Sequence, residues 1–106
     1  MEEKLKEFIS DFWSYKKDKI TSDKSLDDLG MYGDDKKDFL IFFIKKFDID
    51  SINLDYNKYC ESETFNPLSF LFIRMKEKNK VKLTIEHLVK VAEKKIWFEP
   101  NVEDTI

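Results

Sequence analysis

Few side chains in this chain could do chemistry. His87 is the only histidine and Cys60 the only cysteine in 106 residues. The sequence holds no Ser/His/Asp arrangement, no Gly-rich phosphate loop and no Cys/His metal spacing. Acid–base work would therefore fall to carboxylates. Those that cluster, Asp27, Asp28, Asp34, Asp35 and Asp38, lie around a stretch that reads as a solvated loop. Raised carboxylate pKa values, which general acids need, are not expected there. The expectation is a non-catalytic protein with no cofactor. His87 follows Glu86 in the first turn of a predicted helix, and reads as an exposed residue with a structural role. Cys60 has no disulfide partner and reads as a reduced cytoplasmic thiol.

The acidic cluster has three readings. It caps and solvates a helix start; it offers a face to a basic partner, because uncompensated carboxylates steer association; or it binds a divalent metal. The third is the weakest, since the spacing lacks both the alternating ligands of an EF-hand and its closing Glu. The net charge is −3, and the basic side is almost all lysine, with Arg74 the only arginine. Arginine is the preferred reader of bases and clamp of phosphates, so nucleic acid is not the expected partner. The lysines at 76, 78, 80 and 82 read as a solvated edge that discourages strand pairing.

The elements that must position these residues follow from periodicity. A 42% apolar share with ten Phe and two Trp is ample for one packed domain. We take that domain as residues 1–98, with 99–106 a frayed acidic tail. No apolar run reaches a membrane span, and the charged start MEEKLKEF is no secretory signal, so a cytoplasmic protein is expected. Leu5, Phe8, Ile9, Phe12 and Trp13 form one stripe of a first helix over 2–17. Gly30 and Gly33, the only glycines, are expected at positive φ in the long loop over 18–33. The central helix runs from about Asp35 to Phe47. Its six consecutive apolar residues, Phe39 to Ile44, mark it as the buried element. Asp34, Asp35 and Asp38 lie at its positive end, and Lys45 and Lys46 at its negative end. Asn66-Pro67 opens a further predicted helix over 67–78, with Phe70 and Ile73 off its main stripe. Thr84 caps a last helix over 85–95, and Trp97 and Phe98 close the bundle. A short two-stranded pairing between 48–52 and 80–83 is also open to the sequence. The expected fold is mainly all-α, a bundle of about four helices.

The central stretch also carries a resemblance. Asp28-Leu29-Gly30, then Asp35 and Asp38, then Phe47-Asp48-Ile49-Asp50 resemble the centre of an acyl carrier protein, with no gap between the two ends. Leu83-Thr84-Ile85-Glu86-His87-Leu88-Val89 is similar to the entry of a carrier's last helix. Where a carrier has its phosphopantetheine-bearing serine, this chain has Gly33, and the Leu after it is Asp34. Glycine has no hydroxyl to load. With Gly33-Asp34-Asp35 in place of the serine motif and the closing Leu83-Thr84 to Trp97, the chain resembles a group of small, uncharacterised bacterial proteins described as acyl-carrier-like, which implies an acyl-carrier-like bundle without a prosthetic group. It would dock a partner such as a synthase or transferase through the loop and helix start, at Asp27, Asp28, Met31, Tyr32, Asp34, Asp35 and Asp38. The alternative is an immunity or inhibitor protein whose acidic surface neutralises a basic toxin such as a nuclease.

Overall fold

The computed structural model describes residues 1–60 and 81–100. Their architecture is helical, with α1 at Glu2–Trp13, α2 at Asp34–Phe47 and α3 at Ile85–Lys94. Two single 3-10 turns, Lys17–Lys19 and Tyr56–Lys58, punctuate the connections. The helix expected over 67–78, and with it Phe70 and Ile73, lies outside the described residues. The described residues therefore show three helices, where about four were expected of the whole chain.

The first helix is shorter than its apolar stripe suggests. Ser14 takes a left-handed conformation (φ 54°), and the Ser10 hydroxyl donates to the Tyr15 carbonyl at 2.6 Å, which turns the chain away after Trp13. Lys17 then folds back on α1, its Nζ 2.8 Å from Glu3 and 3.2 Å from Glu7. That hydrogen bond, with the lysine's charge, holds the exposed Glu3 carboxyl below its ordinary range.

The core is built on α2. Phe39, Leu40 and Phe43 are fully buried and Phe47 nearly so. They meet Leu5 and Ile9 of α1 and Ile85, Leu88, Val91 and Ala92 of α3 in one cluster. A seam of phenylalanine rings joins the first two helices. Phe8 packs on Phe39 and Phe47 at 5.5 and 5.8 Å, and Phe12 packs on Phe39 and Phe42 at 5.5 and 5.7 Å. Each buried Phe contributes about 1.5–3 kcal/mol, so this seam is the main reason the helices stay together.

No strand forms among the described residues, and the expected partner of 48–52 is corrected. Asp50 pairs in parallel with Ile96, instead of with 80–83. The Asp50 N–H donates to the Lys95 carbonyl at 2.9 Å, and the Trp97 N–H donates to the Asp50 carbonyl at 2.8 Å. The cause lies in the helix ends. Both α2 and α3 stop on a left-handed residue, Asp48 at φ 55° and Lys95 at φ 58°, so their exits turn alike and run side by side. Residues 81–83 are used elsewhere. The Val81 N–H donates to Lys58, and the Leu83 carbonyl accepts from Leu26. An antiparallel bridge between Ser25 and Thr84 then ties the long loop to the entry of α3.

Candidate functional site

The loop before α2 is locally self-sufficient. The Ser25 N–H donates to the Asp28 carboxylate at 3.0 Å, and the Asp28 N–H donates to the Ser25 hydroxyl at 3.2 Å. This reciprocal pair is a capping box on a single turn. Trp13 reaches over from α1 and donates its ring N–H to the Leu29 carbonyl at 2.6 Å. Ile20, Leu26, Leu29 and Met31 sink into the core, as the loop's apolar spacing suggests.

Gly33 launches the helix. Both glycines have positive φ, Gly30 at 90° and Gly33 at 56°. The Asp35 N–H donates to the Tyr32 carbonyl at 3.1 Å, and Gly33 has ψ −125°. Those values make Tyr32–Asp35 a type II′ turn with glycine at its first central position, the place where an L side chain is strained. The Gly33 carbonyl then accepts from the Lys37 N–H at 3.1 Å and begins the helix ladder.

The first turns of α2 present both signs of charge to solvent, since Lys37 is exposed among the aspartates, and turn one lysine inward. Asp34, Asp35 and Asp38 are exposed, and none of the three forms an ion pair among the described residues. Lys36 points the other way. Only 1% of it is exposed, and its Nζ lies 2.5 Å from Asp27 and donates to the Tyr59 carbonyl at 2.8 Å. One ammonium group thus joins α2, the preceding loop and the segment that follows α2.

The seven expected partner-binding residues therefore divide. Asp28, Asp34, Asp35 and Asp38 are exposed and Tyr32 is half-buried. Met31 lies in the core, and the Asp27 side chain, 11% exposed, is taken up by Lys36. These two residues hold the loop and offer little surface. Lys36 reads in the sequence as part of a mixed, exposed helix side. The signal for its burial was present: positions 36, 39, 40, 43 and 47 form one continuous helical stripe, and all five are buried.

His87 is a second correction. It is 5% exposed, with Nε2 2.8 Å from the Phe98 carbonyl, and since a carbonyl only accepts, Nε2 carries the proton. Its ring stands edge-on to Trp97 at 5.8 Å and to Phe98 at 4.7 Å. It shares the inner side of α3 with Leu88 and Val91, and fastens the segment after α3 to the core. Cys60 is buried as well. Burial raises the Tyr59 phenol above its ordinary range.

At the far end of α2 an open groove of about 720 Å³ runs between α1 and the ends of α2 and α3, lined by Lys4, Phe8, Asp11, Phe47, Asp48 and Lys95 among others. None of the expected partner-binding residues lines it. Among the described residues, no group of three or more His, Cys, Asp or Glu side chains could hold a metal ion. No described helix is long and apolar enough to cross a membrane.

Fold and site together define a small helical protein with a glycine-launched central helix whose first turn is rich in aspartate. A family model described as "Protein of unknown function (DUF1493)" matches residues 2–99, and the chain belongs to that family. No curated protein and no solved structure matches it.

Proposed function

We propose that the chain is a non-catalytic, cytoplasmic, acyl-carrier-like binding module that lacks the prosthetic-group serine. It docks a protein partner through Asp28, Asp34, Asp35 and Asp38, with Tyr32 at the edge. The observation that carries this reading is the exposure of the carboxylates at the start of α2, with the exposed Lys37 among them. Asp27 is consumed internally by Lys36, whereas Asp34, Asp35 and Asp38 stay exposed without an ion pair among the described residues. Exposed carboxylates at a helix N-terminus are favoured by the dipole and steer a basic partner toward the site. The order of the described elements supports the carrier resemblance: a first helix, a long tethered loop, a central helix opened at Gly33, and, among the described residues after it, a short turn and a last helix.

The same carboxylates also suit an immunity or inhibitor protein with a basic toxin as its partner. An affinity pull-down from the native cell, repeated with Asp34→Asn and Asp35→Asn together, separates the outcomes. A synthase or transferase lost in the variant supports the carrier-type reading, and a stoichiometric toxin domain lost in the variant supports the immunity reading. A partner retained in full by the variant removes the acidic face from both.

A further inference from the structure

The outer face of α2 carries a second pattern, centred on a residue that lies outside the acidic site. Phe42 is 51% exposed, its ring leaning on Phe12 at 5.7 Å. It is the outward end of the phenylalanine seam between α1 and α2. Asp38 at i−4 and Asp35 at i−7 precede it, and Lys45 at i+3 and Lys46 at i+4 follow it; all four are exposed. None of the four forms an ion pair with a described residue. At about 100° per residue, Asp38 and Lys45 fall on one flank of Phe42, roughly 40° and 60° round, and Asp35 and Lys46 fall on the other flank, roughly 20° and 40° round.

We propose that this face binds the same face of a second copy of the chain, α2 against α2, antiparallel about a two-fold axis at Phe42. Such an axis reverses the offset along the helix and keeps each flank opposite itself. Asp38, about 6 Å toward the N-terminus from Phe42, then meets the partner's Lys45, about 4.5 Å toward the C-terminus of its own helix. Asp35, about 10.5 Å out, lies within a lysine's reach of the partner's Lys46, about 6 Å out. Symmetry doubles both pairs and places the two Phe42 rings together at the centre. A parallel arrangement would set carboxylate on carboxylate and ammonium on ammonium. A uniformly basic partner would meet Lys45 and Lys46, and a uniformly acidic one would meet Asp35 and Asp38. The partner this face fits has acid, aromatic and base in reversed order, and the same helix turned end for end supplies it. One helix face buries less than the roughly 1,200 Å² where standard interfaces begin, so the dimer is a reversible one with Kd of about 10–500 µM. The proposal does not depend on which protein the acidic loop docks. It shares Asp35 and Asp38 with that reading but is measured on the pure chain.

Sedimentation of the full chain at up to about 500 µM and low salt tests it, since charge-matched faces associate best there. The wild-type mass should rise toward the dimer. Asp38→Lys sets ammonium against ammonium and Lys45→Asp sets carboxylate against carboxylate, so each should weaken self-association by roughly tenfold or more. Mixed in equal amounts, the two variants should form a heterodimer, because each now supplies what the other lacks. Phe42→Ala should weaken the dimer without any change of charge. The pair Asp35→Lys and Lys46→Asp repeats the exchange on the other flank, should either first variant fold poorly. A wild type that stays monomeric at about 500 µM overturns the proposal. So does a dimer indifferent to all these changes, or folded variants of both pairs that fail to reassociate on mixing.

Discussion

Replacing Lys36 with methionine keeps the length of the side chain and removes its charge and its donors. In the folded chain the ammonium group lies 2.5 Å from Asp27 and 2.8 Å from the Tyr59 carbonyl, with only 1% of the residue exposed. Removing one member of a buried pair typically costs about 3–5 kcal/mol, because the other charge is left behind. Asp27 retains 11% of its side-chain exposure, so water reaches part of the remaining carboxylate and lowers that cost. We therefore expect a loss of about 2–4 kcal/mol, including the unpaired Tyr59 carbonyl. In a chain of this size that is a fall of roughly 10–20 °C in Tm. Urea denaturation followed by Trp fluorescence reads it, since Trp13 contacts the loop that Asp27 belongs to and Trp97 rests on Tyr59. The double variant Asp27→Leu with Lys36→Met should recover at least half of the loss, because no charge is then left buried. A Lys36→Met protein within about 0.5 kcal/mol of wild type would refute the idea that this pair clasps three segments together.

Other expectations follow from single contacts. Gly33→Ser should cost about 1–3 kcal/mol in thermal denaturation, because φ 56° with ψ −125° strains any L residue. Wild-type protein incubated with a phosphopantetheinyl transferase and coenzyme A should keep its intact mass. His87→Ala removes the bond to the Phe98 carbonyl and the ring contacts with Trp97 and Phe98. It should cost about 2–3 kcal/mol and speed hydrogen exchange at the Trp97 amide. Tyr59 and Tyr56 have phenol pKa values raised by burial, so the folded state holds those protons longer than the unfolded state. Their contribution to stability is complete below the ordinary tyrosine value near 10 and is lost as pH rises through the folded values. Alkaline unfolding should therefore begin above about pH 10, and Tyr59→Phe should reduce its steepness.

Much of the helical frame was legible because periodicity is a local property. The stripe of Leu5, Phe8, Ile9 and Phe12, the apolar run from Phe39 to Ile44, and Thr84 before Ile85 each announce a helix through spacing or a cap that neighbouring residues supply. The misreadings share the opposite character. Asp50 pairs with Ile96 because two helices separated by a long stretch of chain end on left-handed residues and exit in the same direction. No window of sequence around Asp50 contains that fact. Met31 and Asp27 were expected at the docking face, Met31 although its apolar spacing also suits an anchor of the loop. What buries them is a tertiary partner, the core in one case and Lys36 in the other.

Lys36 and His87 show that a charge or a ring nitrogen can mask a pattern that is otherwise present. Each sits in register with the buried stripe of its helix, and periodicity alone would have placed it inward. Residue type argued the other way, and it erred because each polar group finds a backbone carbonyl to donate to, at Tyr59 and at Phe98. Burial of a polar group is costly only when the bond is missing. Gly33 carries the same lesson into function. Its sequence reading was chemical: no hydroxyl, hence no prosthetic group. The structure shows a separate, conformational role for this glycine: the II′ turn that opens α2 is built on a backbone that serine does not favour. A serine at position 33 would thus oppose the turn that sets Asp34 and Asp35 outward and Lys36 inward. In this chain Gly33 and the outward carboxylates of the proposed docking face depend on the same turn.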